Sequence, residues 1–262
     1  MIGTASWQRV CRIAPVARAT LVVVMLFLVT GAPSPGQTSG TEPSADSSSP
    51  YSRLNSWSVF GEFSPNSHHI FLGLSQERRV VSVGGEYARR LVLKRWWELD
   101  YLVQVRPLFL ERDPVLAGFQ SIATNQVVVR FPQPQRVDIV DRNSLLLVPP
   151  NIIARNFYAS QWTYAAGANP IGLKMSLLPR HRLQPVVTFA TGFVVSPRDI
   201  PVDNSTSFNF TFELGAGLEY YLRSKHSLRF DYRVHHLSNA YRGLLNPGVD
   251  SNLFQVSYSF GR

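Results

Sequence analysis

The sequence predicts an all-β chain: an eight-stranded antiparallel transmembrane β-barrel of the kind built into bacterial outer membranes. Three observations lead there. Apolar and polar residues alternate through most of the chain after residue 55, which is the two-residue period of a strand. The connections between these runs are by turns short and long, as in barrels with tight turns at one end and long loops at the other. After the N-terminal segment, no stretch has the roughly 18 uninterrupted apolar residues that a membrane helix needs.

Residues 1–36 read as a secretory signal peptide. Arg9, Arg12 and Arg18 give a basic start, Ala19 to Val29 is an apolar run, and Gly31-Ala32-Pro33 supplies small residues and a turn, with cleavage at Ala32 or Gly36. An uncleaved anchor is the alternative. The only cysteine, Cys11, precedes the apolar run, so cleavage leaves no cysteine for a disulfide or a thiolate metal site. Residues 37–54 are rich in Ser, Thr and Pro and nearly free of large apolar groups. Such a segment cannot bury enough surface to fold, and it reads as a disordered periplasmic leader. The barrel is then expected over 55–262.

Eight alternating runs follow, at 56–63, 78–90, 96–108, 161–178, 183–195, 207–222, 227–238 and 251–260. Most reach the ~9–11 residues that cross hydrocarbon as a tilted strand. In the third, Trp97, Leu99, Tyr101, Val103 and Val105 alternate with Glu98, Asp100, Gln104 and Arg106. The sixth repeats the pattern, with Phe208, Phe210, Phe212 and Leu214 against Asn209, Thr211 and Glu213. Short connections are expected at 91–95, 179–182 and 223–226, and long ones at 64–77, 109–160, 196–206 and 239–250. Asn169-Pro170-Ile171 interrupts the fourth run as a bulge or a bend. Within 109–160, Val127-Val128-Val129 and Leu145-Leu146-Leu147-Val148 read as extra strands, either extending the barrel above the membrane or forming an outer hairpin.

The formal charge is +9, and loss of residues 1–36, with three Arg and no acid, takes it to +6. An anionic lipid surface attracts such a chain. Much of the excess, however, sits in the short turns expected on the periplasmic side (Arg89, Arg90, Lys94, Arg95; Arg180, Arg182; Arg223, Lys225). Arg242, in the last long loop, is the better candidate for a phosphate contact.

The chemistry concentrates at 227–260. Leu228, Phe230, Tyr232 and Val234 alternate with Arg229, Asp231, Arg233 and His235; Phe254, Val256, Tyr258 and Phe260 alternate with Gln255, Ser257 and Ser259. Asn246-Pro247-Gly248 lies between as a turn. Carrying the even parity outward puts His236 and Ser238 on the apolar face and Asp250 at the same end of the partner strand, while His235 points the other way. A serine hydroxyl is a poor nucleophile until an imidazole takes its proton, and the imidazole needs a carboxylate to fix its tautomer. Two residues along one strand is roughly 7 Å between Cα atoms, a gap an imidazole bridges.

The word His236-Leu237-Ser238-Asn239-Ala240, followed by Asn246-Pro247-Gly248 and an acid at position 250, resembles the signature of the PagL family of outer-membrane lipid A 3-O-deacylases, also known as acyloxyacyl hydrolases. The resemblance is specific over 227–260; over the rest of the chain it is one of strand layout. It implies a barrel with Ser, His and acid on its outer wall, hydrolysing an ester-linked acyl chain of lipid A. Residue by residue, Ser238 resembles the nucleophile, His236 the base and Asp250 the acid, while Asn239 and Asn246 resemble asparagines near the oxyanion site, with Gly248 offering backbone N–H nearby. The acid of the family's founding member is Glu, one methylene longer than Asp250. Lipopolysaccharide and outer-membrane lipids are the implied partners. No metal, cofactor or nucleic acid is expected, and nothing bears on oligomeric state.

Other signals are weak. There is no G-x-S-x-G elbow, H-E-x-x-H or phosphate-binding glycine loop. His68-His69 lacks neighbouring acids and reads as a loop pair; Asn204-Ser205-Thr206 reads as a chance sequon. A non-enzymatic structural or adhesive barrel and an esterase for other membrane lipids remain alternatives, and an ester-hydrolysis assay separates the first from an enzyme.

Overall fold

β-Branched and aromatic residues at every second position suit a pleated surface with two unlike faces, and most of the chain after residue 54 takes that form. The computed structural model describes residues 49–262; the expected signal peptide, Cys11 and most of the leader lie outside them. The strands are β1 (Asn55–Ser64), β2 (Arg79–Leu93), β3 (Trp97–Ser121), β4 (Val127–Arg136), β5 (Leu145–Val148), β6 (Ile152–Leu177), β7 (Leu183–Ile200), β8 (Thr206–Arg223), β9 (His226–Ser238) and β10 (Val249–Gly261).

Eight of them form a closed antiparallel ring. Neighbours in sequence pair through β1–β2–β3 and β6–β7–β8–β9–β10. The long β3–β6 ladder joins the two halves, and β1–β10 closes the ring from Ser56↔Gly261 to Phe63↔Phe254. All eight expected runs fall on ring strands. The two extra segments are strands outside the ring: β4 pairs with β3 beyond the point where β2 ends, and β5 pairs with the start of β6. β3 and β6 therefore project well past the barrel wall. The long connection expected at 109–160 is largely this extension, with only 122–126, 137–144 and 149–151 outside strands. The loop expected at 196–206 shrinks likewise to 201–205. The cause is physical: hydrophobic alternation marks only the part of a strand that faces lipid, and a ladder continuing into water needs no apolar face.

The alternation is turned inside out relative to a water-soluble barrel. Along β9 the odd residues Ser227, Arg229, Asp231, Arg233 and His235 are buried in the lumen, while Leu228, Phe230 and Tyr232 are exposed on the outer wall. Trp57, Val59, Phe212, Leu214, Val256 and Tyr258 extend this apolar belt. A barrel leaves no strand edge unpaired, which is the condition for spanning a bilayer with strands.

The lumen is filled by paired charges. Arg106 reaches Glu62 at 2.8 Å and Glu213 at 2.7 Å; Arg233 joins Glu213 at 3.2 Å and Asp231 at 3.1 Å; Arg229 joins Asp231 at 2.8 Å and Glu86 at 2.7 Å. Lower down, Lys174 bridges Asp100 and Glu219. Arg53, near the end of the stretch expected to be unfolded, is buried against Glu219 at 2.6 Å. Asn169-Pro170-Ile171 is a bulge, with register shifts between Ala168 and Ile171 and between Leu102 and Gln104 opposite. Pro170 has no N–H for the ladder, and Asn169 turns inward to bond Gln104 and Glu213. Above the charges sits an apolar plug of Val80, Phe109, Ala165, Val194, Ile200, Leu237, Val249 and Leu253. Three of its members, Leu237, Val249 and Leu253, are the inward neighbours of the residues singled out in 236–252, so the plug anchors that end of β9 and β10.

Removing one member of a buried charge network strands its partners. Arg106→Met leaves Glu62 without an ion-pair partner in the lumen and Glu213 with Arg233 alone, and should cost about 3–5 kcal/mol. The check is the denaturant midpoint of the detergent-solubilised protein, read from the mobility difference between folded and heat-unfolded barrel on gels. A midpoint equal to wild type would show that the network does not hold the barrel.

Candidate active site

β9 and β10 place the three candidate groups without any loop rearrangement. His236 and Asp250 are direct cross-strand partners, and side chains so paired face the same side at short Cβ separation. His236 Nδ1 lies 2.5 Å from Asp250 Oδ1. Nε2 is thereby left facing away from the acid, the tautomer a serine hydrolase requires. Ser238 lies two residues further along the same face. His235 is buried in the lumen, 6.1 Å from the Phe109 ring centroid, with no hydrogen bond at Nδ1. The two adjacent histidines thus occupy opposite sides of the wall.

Ser238 Oγ donates to Asn246 Oδ1 at 3.1 Å and accepts from the Ala240 N–H at 3.2 Å. No hydrogen bond joins it to His236 among the described residues. Asn246 Oδ1 also accepts from the Asn239 N–H, which leaves Asn246 Nδ2 as an uncommitted donor beside the serine. The Asn239 side chain is instead buried and donates to the Leu245 carbonyl at 2.7 Å, closing the loop on itself. Ala240 and Tyr241 both have positive φ, at 52° and 60°, uncommon conformations for residues with a Cβ. Gly248, at φ 60°, lies under the imidazole: a Cβ there would be 3.2 Å from His236 Cε1.

The acid is held in a way the sequence did not reveal. Although Asp250 points outward, it is fully buried, because the β1–β2 connection folds over it. Four successive backbone N–H groups, of Ile70, Phe71, Leu72 and Gly73, donate to Oδ2 at 3.0, 2.5, 3.1 and 3.0 Å. Successive amides converging on one oxygen form an anion-binding nest and favour the ionised carboxylate. The loop is also stitched to the 247–251 backbone. Leu74 N–H donates to the Pro247 carbonyl, Ser75 N–H to Gly248 and His68 N–H to Asp250, and Ser67 bridges Ser251. Gly73 is required by close approach: a Cβ would lie 2.4 Å from the Asp250 nitrogen. His69 Nδ1 bonds the Gly73 carbonyl at 2.9 Å within the same loop.

The surroundings are apolar. Phe210 is the cross-strand partner of Ser238 and Phe212 of His236, and both rings are exposed on the outer wall. Phe208 packs edge-on against Phe210 and stacks on Phe193, continuing an aromatic surface along β8 and β7. Phe71 and Leu72 from one loop and Tyr241, Leu244 and Leu245 from the other are exposed on either side. Arg242 lies over the Phe208 ring, 5.3 Å from its centroid.

Residues 153–259 match the family model described as Lipid A 3-O-deacylase (PagL), a span that contains every candidate residue on β9, β10 and their loop. No curated protein sequence matches the chain. Among solved structures, the crystal structure of the outer membrane enzyme PagL aligns at TM-score 0.43 with 11% identity, covering 79% of this chain and 99% of that one. The solid-state NMR structure of the outer membrane protein AlkL in lipid bilayers aligns at 0.36 with 12% identity, covering 85% and 96%.

If Asp250 and the nest hold one another, loosening either frees the loop. Asp250→Ala and Gly73→Ala should each make residues 65–78 a preferred chymotrypsin site, at Phe71 or Leu72, while the barrel keeps its heat-modifiable mobility. Cleavage no faster than in wild type would mean that the backbone stitching alone secures the loop.

Proposed function

We propose that this chain, whose residues 153–259 match the lipid A 3-O-deacylase (PagL) family, is a serine esterase of the bacterial outer membrane that removes an ester-linked acyl chain from lipid A. The observation that carries the reading is the His236–Asp250 contact at 2.5 Å, with Ser238 two residues along the same lipid-facing strand. The short turns at 94–96, 178–182 and 224–225 would face the periplasm, and the loops that carry the site would face outward. A cleaved N-terminal signal peptide is the route of export this reading requires.

In this mechanism Ser238 Oγ leaves Asn246, swings toward His236 Nε2 and attacks the ester carbonyl carbon as the imidazole takes its proton. Asp250 stabilises the imidazolium through Nδ1, itself kept anionic by the loop amides. The oxyanion of the tetrahedral intermediate lies within reach of Asn246 Nδ2, and such a donor aimed at developing charge is worth more in a water-poor site than in solution. Collapse expels the sugar hydroxyl, protonated by His236, and leaves an acyl-Ser238 ester. Water activated by His236 then attacks that ester and releases the fatty acid.

Location makes the chemistry accessible. A lipid ester just below the headgroups meets a serine just above the apolar belt by lateral diffusion, without leaving the membrane. Ionisable groups on a barrel exterior cost about 2–4 kcal/mol at mid-membrane but only about 0–1 near the interface. The exposed Phe210 and Phe212 rings offer the departing acyl chain an apolar track beside the reacting atoms.

Mass spectrometry of lipid A from cells with and without the gene tests the reaction; unchanged lipid A would refute it. Within the site, Ser238→Ala and His236→Ala should each abolish ester hydrolysis, and the double variant should lose no more, because the two act as one unit. His235→Ala should stay active. Asp250→Asn should lose about 10⁴ in rate, as when the orienting acid of a serine protease is neutralised, whereas Asp250→Glu should retain part of the activity. Hydrolysis of a short-chain ester in detergent reads all six; near-wild-type activity of Asp250→Asn would remove the acid from the mechanism.

A further inference from the structure

A second feature of the outer wall lies away from Ser238, across β10 and β1. Strands are about 4.8 Å apart, so β2 and β3 stand roughly 15–20 Å around the barrel from β9. Along one row of paired, outward-facing residues run Tyr232, Phe254, Phe63, Val81, Leu110 and Tyr164. The next row outward on β2, β3 and β6 is Arg79, Arg112 and Trp162. The two arginines are thus direct cross-strand partners one step above the apolar belt, at the level where headgroups begin and where tryptophan is favoured.

Like charges directly opposite one another destabilise a sheet, and no acid among the described residues pairs with either. The Arg79 side chain makes no hydrogen bond or ion pair among the described residues, and that of Arg112 donates there only to Ser160 Oγ, at 2.7 Å. The nearby acids are committed: Glu77 pairs with Arg142, and Asp113 turns inward to Arg78 at 3.1 Å. Between these side chains is a cleft of about 370 Å³ on whose walls Arg79, Arg112, Arg142 and Ser160 all lie.

We infer that Arg79 and Arg112 bind the phosphate of a phosphorylated lipid headgroup in this cleft, at a site separate from Ser238. Two guanidinium forks give several charge-assisted donors to one phosphate, Ser160 adds a hydroxyl, and the apolar row beneath, with Tyr164 and Trp162, receives the acyl chains. Phosphate between the arginines removes the repulsion the bare protein carries. The inference shares with the proposed function only the outward orientation of these loops and does not depend on the esterase chemistry.

The test is native mass spectrometry of the full chain in dodecyl maltoside, carrying Ser238→Ala so that nothing is turned over. Bisphosphorylated lipid A should be retained about a hundredfold more tightly than the same lipid A stripped of its phosphates, the effect of hydrogen bonds from two charged groups at about tenfold each. Arg79→Gln, which breaks no contact within the protein, should remove about tenfold of that preference, and Arg79→Gln/Arg112→Gln nearly all of it. Both variants should leave binding of the dephosphorylated lipid unchanged and the barrel heat-modifiable. Equal binding of the two lipids by the wild type, or an unchanged preference in Arg79→Gln, would overturn the site. Displacement of the lipid by an equal concentration of inorganic phosphate would overturn its assignment to a headgroup. Because catalysis is blocked, the outcome stands whether or not lipid A proves to be the substrate of Ser238.

Discussion

The ladder between β1 and β10 is the contact on which the rest depends. It turns a meander into a ring, so every ring strand has two neighbours and no row of backbone donors faces lipid. Closure also defines an inside. Once the lumen is sealed, charges at odd positions of β9 are out of water and must find one another, which is why Glu62, Arg106, Glu213, Arg233, Asp231, Arg229 and Glu86 form one connected chain. The same closure brings the first loop beside the last. The connection that leaves β1 emerges next to β10, and that proximity allows the amides of 70–73 to reach Asp250.

This geometry bears on the length of the acid. An aspartate is one methylene shorter than a glutamate, yet here it is the direct cross-strand partner of His236 and needs little reach. One carboxylate oxygen contacts the imidazole and the other is saturated by four N–H donors. The side chain has almost no freedom left, so its orientation is fixed before any ligand arrives, and the entropy of fixing it is already spent in folding. The serine differs: its hydroxyl is held by a side-chain amide and a loop N–H, partners easily exchanged.

Much of this was legible in the sequence because a strand has a period of two. Parity alone separates His235 from His236, puts His236, Ser238 and Asp250 on one face, and finds all eight ring strands. A continuous apolar run, and not alternation, marks Leu145–Val148 as a strand, with bounds identical to those of β5. Parity fails where the second solvent disappears. Beyond the membrane β3 and β6 continue as strands whose residues face water, and apolar runs no longer report them, so the loops at 109–160 and 196–206 read too long. The nest around Asp250 was invisible for another reason: its donors are main-chain amides, which every residue but proline carries, and only Gly73 hints that two backbones pass close together. Asn239 and Asn246 look alike in sequence; only the fold shows one turned into its own loop and the other toward the serine.

The filled interior carries a further consequence. With paired charges through its middle and Phe109, Ile200 and Leu237 in a buried apolar cluster above them, the interior of the ring is filled by side chains. A lipid meets such a molecule at its outer surface, where it arrives in two dimensions. Encounter is then governed by the number of lipids per unit area of leaflet, not by any bulk concentration. Under the proposed function, a released acyl chain would stay in the film it came from, so the local composition of the membrane would be at once the reactant pool and the product sink.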